Sequence, residues 1–249
     1  MAKYLRQILA AISLIAMTLL FVVPGAGFCA LLGWLPRTQL VPAIMAGETV
    51  VIVAIAFSVI LFGRLYCSVI CPLGIIQDLV HFIFGQLINW LGKVGRHLGK
   101  QVRPTFPSRL HIRYPLLLLF IIISLLGFTC LLEPYGIFGR FFSAGIMRFG
   151  EPSTLLIVWA IALFVFILSM SLFRARWWCN MVCPVGTFLG LFSRFALFRV
   201  KIDETKCTGC GLCAKACAPG AITKVGDKVQ IDHSKCVSCF NCRGICPRR

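Results

Sequence analysis

Four long apolar runs constrain this chain more than any other feature. Ile8 to Val23 carries no charge and stops at Pro24-Gly25. Pro42 to Phe62 carries one charge, Glu48. Pro115 to Leu132 and Ser153 to Phe173 carry none. Runs of this kind, roughly 16 to 21 residues each, come close to the ~20 that a helix needs to cross a bilayer. The first has the basic start of a signal peptide in Lys3 and Arg6. It lacks a small-x-small cleavage site, for which Ala26-Gly27-Phe28-Cys29 is a poor substitute, so it reads as a span. The composition agrees: 59% of residues are hydrophobic and only 13% charged, against about 25% charged in a soluble domain. Disorder, which needs low hydrophobicity, is excluded too.

The loops set the orientation. The 25 Lys+Arg against 8 Asp+Glu give a formal net charge of +17. Lys3 and Arg6 precede the first run, and the loop after it carries only Arg37. The segment from Arg64 to Arg113 also holds Lys93, Arg96, Lys100, Arg103 and Arg109. Arg140 and Arg148 are balanced by Glu133 and Glu151. Arg174 and Arg176 follow the fourth run, and a basic tail continues to Arg249. Positive residues mark the cytoplasmic side. The expectation is four spans with both termini inside, so the charge reports topology and no nucleic-acid role is invoked.

Beyond Phe198 the chain turns polar and dense in cysteine. Cys207-x2-Cys210-x2-Cys213-x3-Cys217 is followed by Cys236-x2-Cys239-x2-Cys242-x3-Cys246-Pro247. This is the spacing of a bacterial two-cluster ferredoxin, in which the fourth cysteine of each run serves the other cluster. A tight loop supplies three thiolates to a cubane, with Gly209 and Gly211 letting the backbone wrap the sulfurs. The crossed pattern supplies the fourth. One [4Fe-4S] cluster is therefore expected on Cys207, Cys210, Cys213 and Cys246, the other on Cys236, Cys239, Cys242 and Cys217. Ala221 to Ile231 reads as a hairpin about Gly226-Asp227. Ala218 departs from the usual pattern by separating Cys217 from Pro219. Zinc sites prefer paired C-x2-C with a long spacer, and disulfides do not suit a domain placed inside the cell.

An internal repeat completes the organisation. Arg64-x2-Cys67-x3-Cys71-Pro72-x-Gly74 returns 112 residues later as Arg176-x2-Cys179-x3-Cys183-Pro184-x-Gly186. Each copy ends a span and precedes an apolar stretch, Ile75 to Leu91 and Thr187 to Phe198, which reads as a helix lying in the membrane interface. Two pairs of thiols thus reach one membrane depth. They could hold a soft metal or an iron–sulfur cluster, cycle between dithiol and disulfide, or simply fill buried helices. Arg64 and Arg176 would favour thiolates. Pro72 and Pro184 would break the helix and free N–H groups for the sulfurs.

Twin C-x3-C-P motifs on a four-span bundle, followed by a two-cluster ferredoxin domain, resemble the NapH family of membrane iron–sulfur proteins. The related MauN-type proteins and the membrane halves of NosR-type proteins share the pattern. The expected fold is membrane α-helical: a four-span bundle built as a pseudo-repeat over residues 1–198, then a C-terminal α+β two-cluster ferredoxin domain over 199–249. The resemblance implies a quinol dehydrogenase component of the bacterial inner membrane, with the ferredoxin domain cytoplasmic. Quinol would be the substrate. A partner iron–sulfur protein or c-type cytochrome of a reductase system would take the electrons. Proteins of this architecture can also serve as accessory or maturation factors that supply electrons or handle metal while a metalloenzyme is assembled.

Covalent haem is excluded by the lack of C-x2-C-H. None of His81, His97, His111 and His233 lies in a span, which argues against bis-His haem. No Walker or dinucleotide glycine motif occurs. Quinol oxidation needs a proton acceptor, and acids in or beside spans are its candidates. Glu48 sits inside the second run, with Glu133 and Glu151 at the outer boundary. All three could instead belong to a solvated outer loop. Cys29 and Cys130, also near the outer side, are either a disulfide pair or apolar filler.

Overall fold

The computed structural model describes residues 2–22, 33–91, 110–125, 133–144, 154–173, 175–226 and 228–247. Helix α1 is Ala2–Val22. A short 3-10 turn, Pro36–Thr38, leads into α2, Leu40–Ala46, and α3, Thr49–Phe62. The run from Pro42 to Phe62 is therefore two helices, where one span was expected. Gly47 is the cause. At φ +71 it adopts the left-handed conformation that closes a helix, and its N–H returns to the carbonyls of Ala43 and Ile44.

Next come α4, Tyr66–Val69, and α5, Pro72–Trp90. Then follow α6, Leu110–Leu125, α7, Pro134–Ala144, and α8, Thr154–Phe173. Helices α9, Trp177–Met181, and α10, Pro184–Phe192, end the bundle. The duplication extends well beyond the cysteine motif. Helices α1 to α5 correspond in order to α6 to α10. The pairings repeat as well: α1 packs on α4 and α5, and α6 packs on α9 and α10. Helix α2 packs on α3, and α7 on α8.

Among the described residues one helix, Tyr4–Val22, is long and apolar enough to cross a membrane. Thr49–Phe62, Pro72–Ile88, Ile112–Ser124 and Ile157–Leu172 are apolar but shorter. These helices turn large apolar side chains outward, among them Ile8, Ile12, Val53, Phe57, Leu118, Ile122, Val158 and Trp159. An exposed apolar belt of that extent marks contact with lipid or another protein. Helix α5 packs against α1, α7 and α8 and leaves Phe82, Ile83 and Trp90 exposed. The buried core is shared by both halves and includes Met17, Val59, Leu73, Ile137, Phe138, Phe164 and Ile167.

The chain leaves the bundle along the end of α3, where Leu197 N and Phe198 N donate to the carbonyls of Ile60 and Leu61 at 3.0 and 2.8 Å. The cysteine-rich segment then forms α11, Leu212–Lys215, strands β1, Ile222–Val225, and β2, Lys228–Ile231, and α12, Asn241–Ile245. The strands pair antiparallel with Ile222 opposite Ile231 and Val225 opposite Lys228, the hairpin that the sequence predicts about Gly226.

Candidate functional site

Both cysteine loops of the C-terminal segment share one backbone shape. Gly209 and Gly211 have positive φ, and so do Ser238 and Phe240 at the matching places in the second loop. Only glycine takes that conformation freely, so the second loop holds it under strain. Cys217, Cys236, Cys239 and Cys242 line one cavity, walled by Val200, Ile222 and Val237. That is the set expected for the second cluster. The Ala221 N–H points at Cys217 Sγ at 3.2 Å, the kind of donor a bound sulfur cluster uses. Burial pushes the Cys217 and Cys242 thiols up to about 11. In the other set, Cys207, Cys210 and Cys213 lie within electrostatic reach of one another, and Cys207 and Cys210 are exposed. Cys246 ends α12, which packs on α11, the helix that carries Cys213. Donor chemistry and cavity suit an iron–sulfur cluster on the second set.

Cys67, Cys71, Cys179 and Cys183 are all buried, each at most 4% exposed. They stand close enough to act on each other's charge: Cys183 feels Cys179, Cys71 and Cys67. Each motif's local geometry follows from its residue types. Cys183 is the N-cap of α10, Pro184 opens the helix, and the Gly186 N–H donates to Cys183 Sγ at 3.4 Å. Gly186 also has to be glycine. A Cβ there would fall under 3.0 Å from the carbonyl oxygen of Cys179, and Gly74 stands in the same relation to Cys67.

The two arginines lace the copies together. Arg64 Nη2 donates to the Cys179 carbonyl at 3.0 Å, and Arg176 Nη1 donates to the Cys67 carbonyl at 2.9 Å. Each thus holds the first cysteine of the opposite motif by its backbone. Burial lifts the Cys179 thiol to about 11 and Cys71 and Cys183 further, while Arg176 pulls Cys179 and Cys71 the other way and Arg64 does so at Cys179. Among the described residues no three His, Cys, Asp or Glu side chains stand as ligands to a single metal ion. The eight ferredoxin cysteines fall under the same statement.

The symmetry breaks where it matters. Arg176 also pairs with Asp78 through two bonds of 2.7 and 2.6 Å. The residue 112 positions after Asp78 is Gly190. Its missing Cβ would lie 2.8 Å from the Ser234 carbonyl oxygen. That carbonyl takes the place of the acid and accepts from Arg64 Nη1 at 2.9 Å. Gly190 therefore admits the ferredoxin segment to the thiol layer. Asn180, next to Cys179, accepts from Arg64 at 2.8 Å and donates to the Pro219 carbonyl, on the cavity wall, at 2.9 Å. The displaced proline after Cys217 thus serves as a docking point. Ser238 Oγ to the Phe62 carbonyl, Ser193 Oγ to the His233 carbonyl, and Arg113 to Ser234 Oγ complete the seam.

Sequence reasoning missed Asn180, Gly190 and Asp78, although the mismatch of Asp78 with Gly190 was visible at the repeat offset. Arg64→Gln should leave three buried acceptors short of a donor, at about 3 kcal/mol in total. Limited proteolysis should then release the C-terminal segment at protease doses that leave the parent whole.

The acids divide. Glu48 stands at the start of α3, ion-paired with Arg37 at 3.7 Å and 39% exposed. It is the start of a helix, because Gly47 ends the preceding one. Glu133, expected at the outer boundary, is instead only 5% exposed. It opens α7 and lies close enough to Tyr66, beside Cys67, to influence it. Burial lifts its carboxyl to about 7, and Arg140 opposes the rise. Glu151, Cys29 and Cys130 fall outside the described residues.

Thiol layer, cavity and paired loops together define a ferredoxin-type iron–sulfur electron-transfer protein. Residues 44–100 and 156–203 match the family model of a 4Fe-4S binding domain, once per copy of the repeat, and 199–247 match that of a 4Fe-4S dicluster domain. The chain is 33% identical to the ferredoxin-type protein NapH of Escherichia coli K12, over 71% of this chain and 54% of NapH. It is 32% identical to the methylamine utilization ferredoxin-type protein MauN of Paracoccus denitrificans, over 65% of this chain and 50% of MauN. An uncharacterized protein of Methanocaldococcus jannaschii is 28% identical over 82% of this chain and 72% of its own length. The matches span about half the length of NapH and MauN. No solved structure matches. The chain belongs to the ferredoxin-type proteins that include NapH and MauN.

Proposed function

We propose that this chain is the membrane-embedded relay of a quinol dehydrogenase. Electrons enter from quinol at the helical bundle. They leave through the ferredoxin domain to a partner iron–sulfur protein or c-type cytochrome of a reductase system. One observation carries the reading: the order of the sites. The buried thiol layer is bonded through Asn180 and Arg64 to the loops of Cys217 and Cys236, and the exposed Cys207 and Cys210 lie on the opposite set. Two [4Fe-4S] clusters held by the eight cysteines would supply one-electron carriers there. The exposed set is the natural exit to a partner.

The outward apolar belt and the basic loops support a multi-pass protein of the bacterial inner membrane with both termini cytoplasmic. The four thiols hold a further metal or cluster, or cycle as dithiols. Beside Cys179, whose Sγ lies 3.7 Å from Gln77 Oε1, the buried Gln77 Nε2 and Arg64 Nε have no partner among the described residues. Buried donors left open in this way favour an anionic centre.

The test uses anaerobically purified full-length protein. It should carry at least about eight iron and eight sulfide, the share of the ferredoxin domain, and added quinol should bleach the iron–sulfur absorption. A parent that binds iron but is not reduced by quinol would refute the dehydrogenase reading. It would favour the alternative, a maturation factor that handles metal at the same thiols.

A further inference from the structure

Where the bundle meets the ferredoxin segment, cations collect without matching acids. Tyr114, in the first turns of α6, accepts from two guanidiniums at once: Arg113 Nη2 and Arg194 Nη2 each donate to its hydroxyl at 3.0 Å. Arg113 is buried and also donates to Ser234 Oγ at 3.1 Å, whereas Arg194 is exposed. Arg199 returns to the same place and donates from Nη1 to the Arg194 carbonyl at 2.8 Å. His233 is held below its ordinary value by burial and then by Arg199, with Lys201 adding to the effect, so these two cations stand beside it. Among the described residues none of Arg113, Arg194, Arg199 and Lys201 is ion-paired. Asp232 faces Tyr114 and His233, but its carboxylate is already bonded to Ser234 N and to Lys235, the latter at 3.1 Å. Like charges gathered in this way repel one another, and an anion from outside the chain would relieve them.

The neighbouring side chains point to which anion. Between Arg194 and Arg199 the chain turns Phe195, Leu197 and Phe198 outward, 78%, 67% and 64% exposed. They are anchored to the end of α3: Phe198 stacks on Phe62 at 5.6 Å, and Leu197 N and Phe198 N donate to the carbonyls of Ile60 and Leu61. The patch therefore continues the outward apolar face of α3, which carries Val53, Phe57 and Ile60. An acidic soluble protein or a free phosphate would satisfy the cations and leave the rings in water. A phospholipid satisfies both, with charged heads at the surface and apolar side chains below them.

We propose that residues 193–200 bind an anionic phospholipid, with Arg194 and Arg199 on its headgroup phosphate and Phe195, Leu197 and Phe198 against its acyl chains. The assignment rests on the membrane placement above. Tyr114 is a positioning residue that holds the Arg194 guanidinium, and the buried Arg113 adds charge behind it. The same seam grips the ferredoxin segment, through Arg113 to Ser234 Oγ and through Ser193 Oγ to the His233 carbonyl. A lipid bound here steadies the docking of that segment on the bundle.

The full-length holoprotein in dodecyl maltoside is titrated with dioleoyl phosphatidylglycerol or dioleoyl phosphatidylcholine, and bound lipid is counted by native mass spectrometry. The parent should retain phosphatidylglycerol about tenfold better, the worth of one or two cations at an anionic headgroup. The double variant Arg194→Gln, Arg199→Gln should bring the two lipids to parity. Arg37→Gln, at an exposed arginine paired with Glu48 beside the start of α3, should leave the preference unchanged. Phosphatidylglycerol should also raise the protease dose that releases the C-terminal segment, an effect that inorganic phosphate does not reproduce and the double variant loses. Iron content establishes that each variant is folded. Equal retention of both lipids by the parent, or an unchanged preference in the double variant, would overturn the site and leave the cations to an acidic protein, while the membrane placement stands. Protection by inorganic phosphate alone would overturn the lipid in favour of a free anion. A parent that retains neither lipid would overturn the membrane placement and this site with it.

Discussion

Gly186→Ala is expected to dismantle the contact between the two halves of the bundle. The added Cβ would meet the backbone oxygen of Cys179 and lie 2.8 Å from Arg64 Nη2. Neither neighbour can retreat cheaply. The oxygen is fixed by its helix and by the Arg64 hydrogen bond, and Arg64 is fully buried. Overpacking of a tight core costs about 1–3 kcal/mol, and here the loss of the Arg64 bonds to Cys179, Asn180 and Ser234 adds to it. The variant should unfold in detergent well below the parent.

Two comparisons make the result specific. Gly190→Ala presses on Ser234 of the ferredoxin segment, so it should undock that segment and leave the bundle's melting transition in place. Gly85→Ala sits in α5 with no atom within 4 Å. It should be neutral or stabilising by up to about 1 kcal/mol, since alanine is the better helix former. Equal thermal stability of Gly186→Ala and the parent would mean that the two motifs do not interlock.

Much of this arrangement was legible in the residues. Cysteine spacing pointed to a 4Fe-4S dicluster domain, and to the four cysteines that line one cavity, because cluster chemistry fixes loop length. The hairpin about Gly226 followed from turn residues between short polar strands. The repeated Arg, Cys, Cys, Pro and Gly announced a unit, but their roles were hidden. Spacing along one chain says nothing of an arginine that reaches across a pseudo-two-fold axis to a backbone carbonyl. Gly186 looked like a small residue after a proline, and its necessity lies in Cys179, seven positions back.

The break at Gly47 was obscured by the apolar residues on both sides of it, which gave one continuous hydropathic run. Glu133 was misplaced for a related reason. It borders an apolar run, and a boundary read from hydropathy cannot tell an exit to solvent from a helix that turns back into the bundle. The docking of the ferredoxin segment on Gly190 could be read only by subtraction, by asking what the first copy has at Asp78 that the second lacks.

The central claim is that the thiol layer and the ferredoxin domain act in series. Cys179 lies beside Asn180, whose amide binds the cavity wall, and Cys67 lies in the opposite motif, held by Arg176. The most direct measurement is anaerobic stopped-flow reduction by quinol of the parent, Cys67→Ser, Cys179→Ser and the double variant, with dithionite reduction as the control for intact clusters. The account predicts rapid reduction of the parent and near-complete loss of quinol-dependent reduction in either single variant. The double variant should lose little more than a single one, as groups acting as a unit do. Dithionite should bleach all four proteins alike. Parental rates with quinol in Cys67→Ser and Cys179→Ser would contradict the account, and would leave the four thiols as packing between two halves of a bundle.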